Sequence, residues 1–311
     1  MNKINTQNKL QTDDFERMFG EKLSSYTKKK IKDYGFRYRH ITPDERDDCI
    51  KKIVDTLLDR GLVYSGKHRL GQWEKGWGEN LANLKKHGNS SAIIPHYFGK
   101  YDIVRVNQKL IKAHSKNFER NSLAVIVGWL ADKYMRDADS IYEFGCGTGH
   151  HLLEIRDINR NANLWGLDWV ESSQKIIQKI AAQKNNNKLF AKKFDFFNPD
   201  KKFKLGKNSV IYTVAALEQV GEKFDKFIDF LIGNKPKLCI HVEPIGELLD
   251  ENNLLDFLSL KYFEKRNYLK GFLSHLYKLE KQNKIKILKA QRSYIGSFFI
   301  DGYSVIVWSP R

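Results

Sequence analysis

The stretch Tyr142-Glu143-Phe144-Gly145-Cys146-Gly147-Thr148-Gly149-His150-His151 constrains this chain more than any other. Ser140-Ile141-Tyr142-Glu143-Phe144 predicts a strand, the three glycines predict a sharp turn, and His151-Leu152-Leu153-Glu154-Ile155 predicts a helix. Glycine lets the backbone bend there and approach a ligand where a Cβ would clash. The helix that follows aims its unpaired N–H groups at the same spot. Strand, glycine turn and helix in that order read as a βα unit that binds a cofactor. The spacing disfavours a nicotinamide dinucleotide, because the third glycine of G-x-G-x-x-G would fall at His150.

Downstream, strands and helices alternate. Asn163–Asp168, Leu189–Lys193, Ser209–Val214 and Lys237–Glu243 read as strands, with helices over Glu171–Gln183 and Phe224–Leu231 between them. Such alternation predicts an α/β fold with a mostly parallel, doubly wound sheet. The alternation stops after Glu243. A helical region over 253–281 precedes two strands, Ile285–Leu288 and Tyr303–Trp308, with no helix between them, which predicts an antiparallel last pair.

Residues 1–120 read as an N-terminal helical cap or lid, and 121–311 as the cofactor-binding domain. Phe15, Met18, Phe19 and Leu23 have helical spacing. Thr42-Pro43-Asp44-Glu45 is a capping box that opens a helix ending at Arg60-Gly61, and nothing in this part looks like a strand. Gly71–Asn80 and Ile94–Tyr101 mix aromatics and glycines without clean periodicity, as loops that form lids or binding walls do.

Glu143-Phe144-Gly145-Cys146-Gly147-Thr148-Gly149 resembles motif I of the class I (Rossmann-like) S-adenosyl-L-methionine-dependent methyltransferases. The terminal antiparallel pair resembles that family's topology, whose last strand inserts antiparallel. The resemblance covers roughly 121–311 and implies S-adenosylmethionine as cofactor. Glu143, Gly145, Cys146, Gly147, Thr148 and Gly149 would surround it, and Asp168, at the end of the second strand, would accept hydrogen bonds from the ribose diol. Trp169 could face the adenine, and Asp195-Phe196 matches the family's adenine contact. Leu217-Glu218-Gln219-Val220 looks like the Leu-Glu-His-Val/Ile element of small-molecule methyltransferases, with Gln in place of His.

A hydroxyl acceptor needs its proton removed, which calls for His, Asp or Glu within hydrogen-bond reach. The candidates, in order, are Glu243, His150, His241 and Glu218. Tyr97, Lys100, Arg105, Tyr262 and Arg266 are candidates for binding an anionic or nucleotide-linked acceptor. The expected activity is O-methylation of a small metabolite or of a sugar- or nucleotide-linked acceptor. The alternatives are an RNA methyltransferase and a non-catalytic cofactor-binding partner subunit.

Composition bears on the partner. The net charge of +17 invites a nucleic-acid reading, but lysine is spread along the chain without an arginine-rich, aromatic-interleaved segment, so nucleic acid is possible and not favoured. No apolar run reaches membrane-spanning length, and the polar start has no signal-peptide core. Three cysteines without metal-ligand spacing suit reduced thiols in a cytoplasm, with no metal site.

Overall fold

The computed structural model describes residues 7–311. The chain opens with β1 (Asn8–Lys9), α1 (Thr12–Phe19), α2 (Ser25–Tyr34), β2 (Arg37–His40), α3 (Pro43–Leu58), α4 (Leu70–His87), β3 (Ile103–Val106) and β4 (Lys109–Ala113). Then come α5 (Phe118–Tyr134), β5 (Ser140–Phe144), α6 (His150–Ile158), β6 (Asn163–Asp168), α7 (Glu171–Gln183) and β7 (Leu189–Lys193). β8 (Ser209–Val214), α8 (Asp225–Asn234) and β9 (Leu238–Glu243) complete the alternation. α9 (Leu254–Arg266), α10 (Phe272–Lys281), β10 (Ile285–Gln291), β11 (Ile295–Gly296) and β12 (Ser304–Pro310) follow.

The main sheet has seven strands in the order β10-β12-β9-β8-β5-β6-β7. β9, β8, β5, β6 and β7 pair in parallel, and β12 is antiparallel to both β9 and β10. Order reverses between β5 and β8, so the carboxyl ends of these two strands open the crevice where such sheets bind ligands. β5 is buried at every residue and β9 likewise, as strands covered on both faces should be.

The N-terminal region is more than the expected helices. β2 is a strand, and β1, β2, β4 and β3 form an antiparallel sheet that is completed by β11 from the far end of the sequence. Gly296 has to be glycine there, since a Cβ would lie 2.0 Å from the carbonyl oxygen of Ile300. The residues expected to form one helix around Phe15–Leu23 form the end of α1 and a turn instead. Gly20 stops α1 in the left-handed region (φ 68°), and Ser24 caps α2 by accepting from Thr27 N–H. The Thr42–Glu45 capping box is present, but α3 ends at Leu58, short of Gly61, because the Asp59 carboxylate accepts from Gly61 N–H at 2.8 Å and turns the chain.

The stretch expected to be a loop over 71–80 is helical, within α4. Gly71, Gly76 and Gly78 lower its intrinsic propensity, and tertiary packing of Trp77, Leu81 and Leu84 overrides that. The cap and the sheet share one apolar core, in which Phe19 stacks on Trp129 of α5 with ring centroids 4.4 Å apart.

Candidate active site

The glycine turn is built as the sequence pattern requires. Gly145, Gly147 and Gly149 all have positive φ (71°, 52° and 71°), where an L side chain is strained. A Cβ on Gly145 would stand 2.5 Å from the Ala216 Cβ, and one on Gly147 would stand 2.9 Å from the Trp77 ring. Asp168, at the end of β6, points its carboxylate back into the turn. One oxygen accepts from Gly147 N–H at 2.8 Å and the other from Val170 N–H at 3.2 Å. Burial pushes its carboxyl up to about 6, against the pull of those backbone donors. Glu143 is also buried, and burial raises its pKa well above the usual carboxylate range, with neighbouring Tyr212 pulling the other way.

Helix α4 covers this turn. Trp73 and Trp77 stack at 5.4 Å, one turn apart, with Trp77 against Gly147. Between them, Glu74 caps the first turn of α7, accepting from Glu171 N–H at 2.7 Å and Ser172 N–H at 2.9 Å. Those N–H groups have no partner within their own helix, and a carboxylate there also suits the helix dipole. The cap is thus fastened to the helix that follows Asp168.

Two connected spaces result. A narrow slot of about 70 Å³ lies between Trp73, Trp77, Trp169, Phe196 and Phe197, with Asp168 at its wall. A larger cavity of about 270 Å³ runs from the glycine turn to the cap and the segment 297–303. Trp73, Trp77, Gly145, Ala215 and Gln219 border both. Ala215 adopts φ 48°, sparsely populated for a residue with a side chain, and the 3₁₀ turn that follows it carries Glu218 to the cavity wall.

Of the four candidate bases, Glu218 has the geometry. It is buried and lines the cavity, one oxygen accepts from Gln219 Nε2 at 2.9 Å, and Oε2 has no partner among the described residues. Burial, then the nearby Glu243 charge, pushes its carboxyl up to about 8, with Arg266, Gln219 and Tyr268 pulling the other way.

Glu243, ranked first from the sequence, is spent on structure. Its carboxylate accepts from the N–H groups of Ala216 (3.1 Å), Leu217 (3.0 Å) and Glu218 (3.2 Å), and it does not line either space. His241 is likewise internal: Nδ1 meets Thr213 Oγ1 at 3.0 Å and Nε2 accepts from Trp308 Nε1 at 3.0 Å. His150 does line the cavity, with Nδ1 3.2 Å from Thr148 Oγ1 and its ring 3.9 Å from that of His151.

Burial holds His150 well below its ordinary value, and both His151 and His241 down at about 3. These rings are neutral in the folded protein, whereas in the unfolded chain they titrate near 6.5. At these three sites the unfolded state therefore binds more protons below 6.5, and their own contribution to stability falls as pH drops from 6.5 towards 3. Urea midpoints at pH 7 and pH 5 should isolate the His241 share by difference: going from pH 7 to pH 5, the parent should lose stability relative to a His241→Gln variant. An identical pH slope in parent and variant would remove His241 as a cause.

The candidates for acceptor binding divide in the same way. Tyr97, Lys100 and Arg266 line the cavity. Arg105 does not. It is fully buried, donating to Leu255 O and Ser259 Oγ (both 2.7 Å) and to Phe298 O (3.1 Å), and burial lowers its pKa to about 10. Tyr262 lies behind the wall, stacked on Phe299 at 4.9 Å. Of the adenine pair, Phe196 lines the slot, while Asp195 does not and instead accepts from Phe197 N–H at 2.8 Å.

Among the cavity residues that the sequence reading did not single out are two charged ones, Glu119 and Arg69. Glu119, in the first turn of α5, accepts from Tyr303 Oη at 3.3 Å, and burial pushes it up to about 7. Arg69 lies over the Trp73 ring at 4.8 Å and donates to Gln219 Oε1 at 2.7 Å. An acidic residue in a helix's first turn ordinarily reads as a dipole partner, which hid Glu119.

No protein-family model matches the chain, and no curated protein does. Solved structures resemble it distantly. Magnesium protoporphyrin IX methyltransferase from Synechocystis PCC 6803, with bound SAH, is 14% identical over 63% of this chain and 87% of its own, with a TM-score of 0.46. An O-methyltransferase from neocarzinostatin biosynthesis is 13% identical over 78% of this chain and 70% of its own, with a TM-score of 0.43. Human N-acetylserotonin methyltransferase is 12% identical over 85% and 66%, also with a TM-score of 0.43. Likeness this distant assigns no role to any residue above. By its own strand order, parallel core and inserted antiparallel last strand, the chain has the class I methyltransferase-like fold.

Proposed function

We propose that this protein is an S-adenosylmethionine-dependent methyltransferase that methylates a hydroxyl of a small molecule. The observation that carries the reading is the Gly147 N–H to Asp168 hydrogen bond. It joins a glycine turn of positive φ to a carboxylate at the end of the adjacent strand, at the point where strand order reverses.

The residues present fit the cofactor. The glycine turn places Gly145, Cys146 and Gly147 on the cavity wall, beside the buried Glu143 carboxyl. Asp168 accepts backbone N–H groups on both oxygens, and a carboxylate has about four acceptor sites, so acceptor capacity remains for a ribose hydroxyl. Trp169, Phe196 and Phe197 form a slot suited to a flat ring. When bound, the cofactor supplies an electrophilic sulfonium methyl group, which leaves a neutral thioether after transfer.

The chain's own residues have three tasks. Trp73, Trp77 and the 297–303 segment exclude water, the walls of the cavity orient the acceptor, and Glu218 takes the hydroxyl proton on Oε2. Tyr97, Lys100 and Arg266 are the side chains proposed to contact the acceptor.

Asp168→Ala tests the cofactor site. Affinity for S-adenosylhomocysteine should fall by about 1.5–3 kcal/mol, the worth of hydrogen bonds to a charged group. Calorimetry that finds unchanged affinity in a folded variant would take Asp168 out of the site.

A further inference from the structure

Glu218 and Glu119 share a cavity but differ in electrostatic company. Glu218 has Arg266 nearby, which pulls its carboxyl towards ionisation. Glu119 makes no ion pair among the described residues, and its hydrogen bond comes from a neutral phenol, Tyr303. Tyr97 and Tyr303 both lie in the field of both carboxylates, so the two acids face one space. Around them the walls are aromatic, including Tyr97, Phe98, Tyr268 and Phe299. A buried carboxylate without a cation, beside π faces, favours a positively charged group more than any neutral one.

We infer that Glu119 is a specificity-determining residue, and that the acceptor is an amine-bearing hydroxy compound whose protonated nitrogen sits between Glu119 and Tyr303 while its hydroxyl meets Glu218. This rests on the transferase reading above. It differs from the anionic acceptor that the sequence suggested, because Arg69 is already committed to Gln219 and Gln72. Lys100 and Arg266 also rest against tyrosine rings. With the nitrogen seated, the Glu119 carboxylate is ionised and paired. Without a cation, burial favours its protonated form, and a neutral acceptor gains nothing from it.

The test uses the full chain loaded with S-adenosylhomocysteine, and intrinsic fluorescence from Trp73 and Trp77, which line the cavity. Amino sugars and aromatic amino alcohols are titrated, each beside its N-acetyl derivative, and methyl transfer to the same compounds is followed with labelled cofactor. At least one amine should bind roughly tenfold or more tighter than its N-acetyl partner, the factor that one charged hydrogen bond provides. Glu119→Gln should erase that preference, raising KM for the amine while kcat changes little. Equal binding of the pairs, no binding of any amine, or a preference that survives in Glu119→Gln would overturn the inference, with the transferase reading left standing. Failure to bind S-adenosylhomocysteine at all would instead sink the transferase reading.

Discussion

Replacing Glu218 by Gln should lower kcat by roughly 10²–10⁴-fold, the range for loss of a positioned general base, and leave S-adenosylhomocysteine affinity within about twofold. The substitution keeps the size of the side chain and its contact with Gln219, and removes only the capacity to take a proton. The parent enzyme should also show a pH dependence of kcat with a definite sign. Burial holds the Glu218 carboxyl at about 8, so the active, ionised form is scarce at pH 6 and grows until the rate levels off above 8. Steady-state kinetics with any methylated acceptor would check both. A variant within about threefold of the parent at every pH would exclude Glu218 as base.

Glu243→Ala should be the most damaging change to stability. Its carboxylate satisfies three backbone N–H groups at the start of the turn after β8, all of them buried. Each unsatisfied buried donor costs about 1–3 kcal/mol, so the loss should be on the order of 3–5 kcal/mol even if the turn relaxes in part. Chemical denaturation would measure it. Glu243→Gln keeps an acceptor oxygen and should recover part of the loss. Because the same turn presents Glu218, the Gln variant should also lose activity out of proportion to its stability. If Glu243→Ala unfolds at the parent's denaturant concentration, the turn is held by something else.

These two glutamates show where reading the chain succeeds and where it stops. Ser140–Phe144 and Ser209–Val214 are strands with the bounds their apolar runs suggest, because strands covered on both faces need such runs, and Asn163–Asp168 and the half-exposed edge strand Leu189–Lys193 also keep their expected bounds. The glycine turn was legible for the same kind of reason: positive φ selects residue type. By contrast, Arg37–His40 (Arg-Tyr-Arg-His) carries no apolar run, since it lies in a half-exposed antiparallel sheet. The strand end at Glu243 gives no hint that its carboxylate faces a neighbouring turn and not the ligand. That is a matter of which strand lies beside it. Arg105 misled for a related reason, because a buried arginine and a substrate-binding one have the same local sequence, and only the carbonyls of Leu255 and Phe298 tell them apart.

The pairing of β11 with β3, which joins Ile295 to Val106 and Gly296 to Arg105, has a consequence for synthesis. Chain emerging from a ribosome through β9 already holds the glycine turn, Asp168, Glu218 and the Glu243 that supports it, together with most of the parallel sheet. It has no acceptor cavity, since Ser297, Phe298, Phe299, Ile300 and Tyr303 form one wall and Tyr303 is the hydrogen-bond partner of Glu119. About 190 residues separate the two paired strands, and contacts between such distant segments are the slow ones in folding. The half of the site proposed to meet the cofactor is therefore encoded early, whereas the wall proposed to meet the acceptor is completed last, when the two remote parts of the sequence meet.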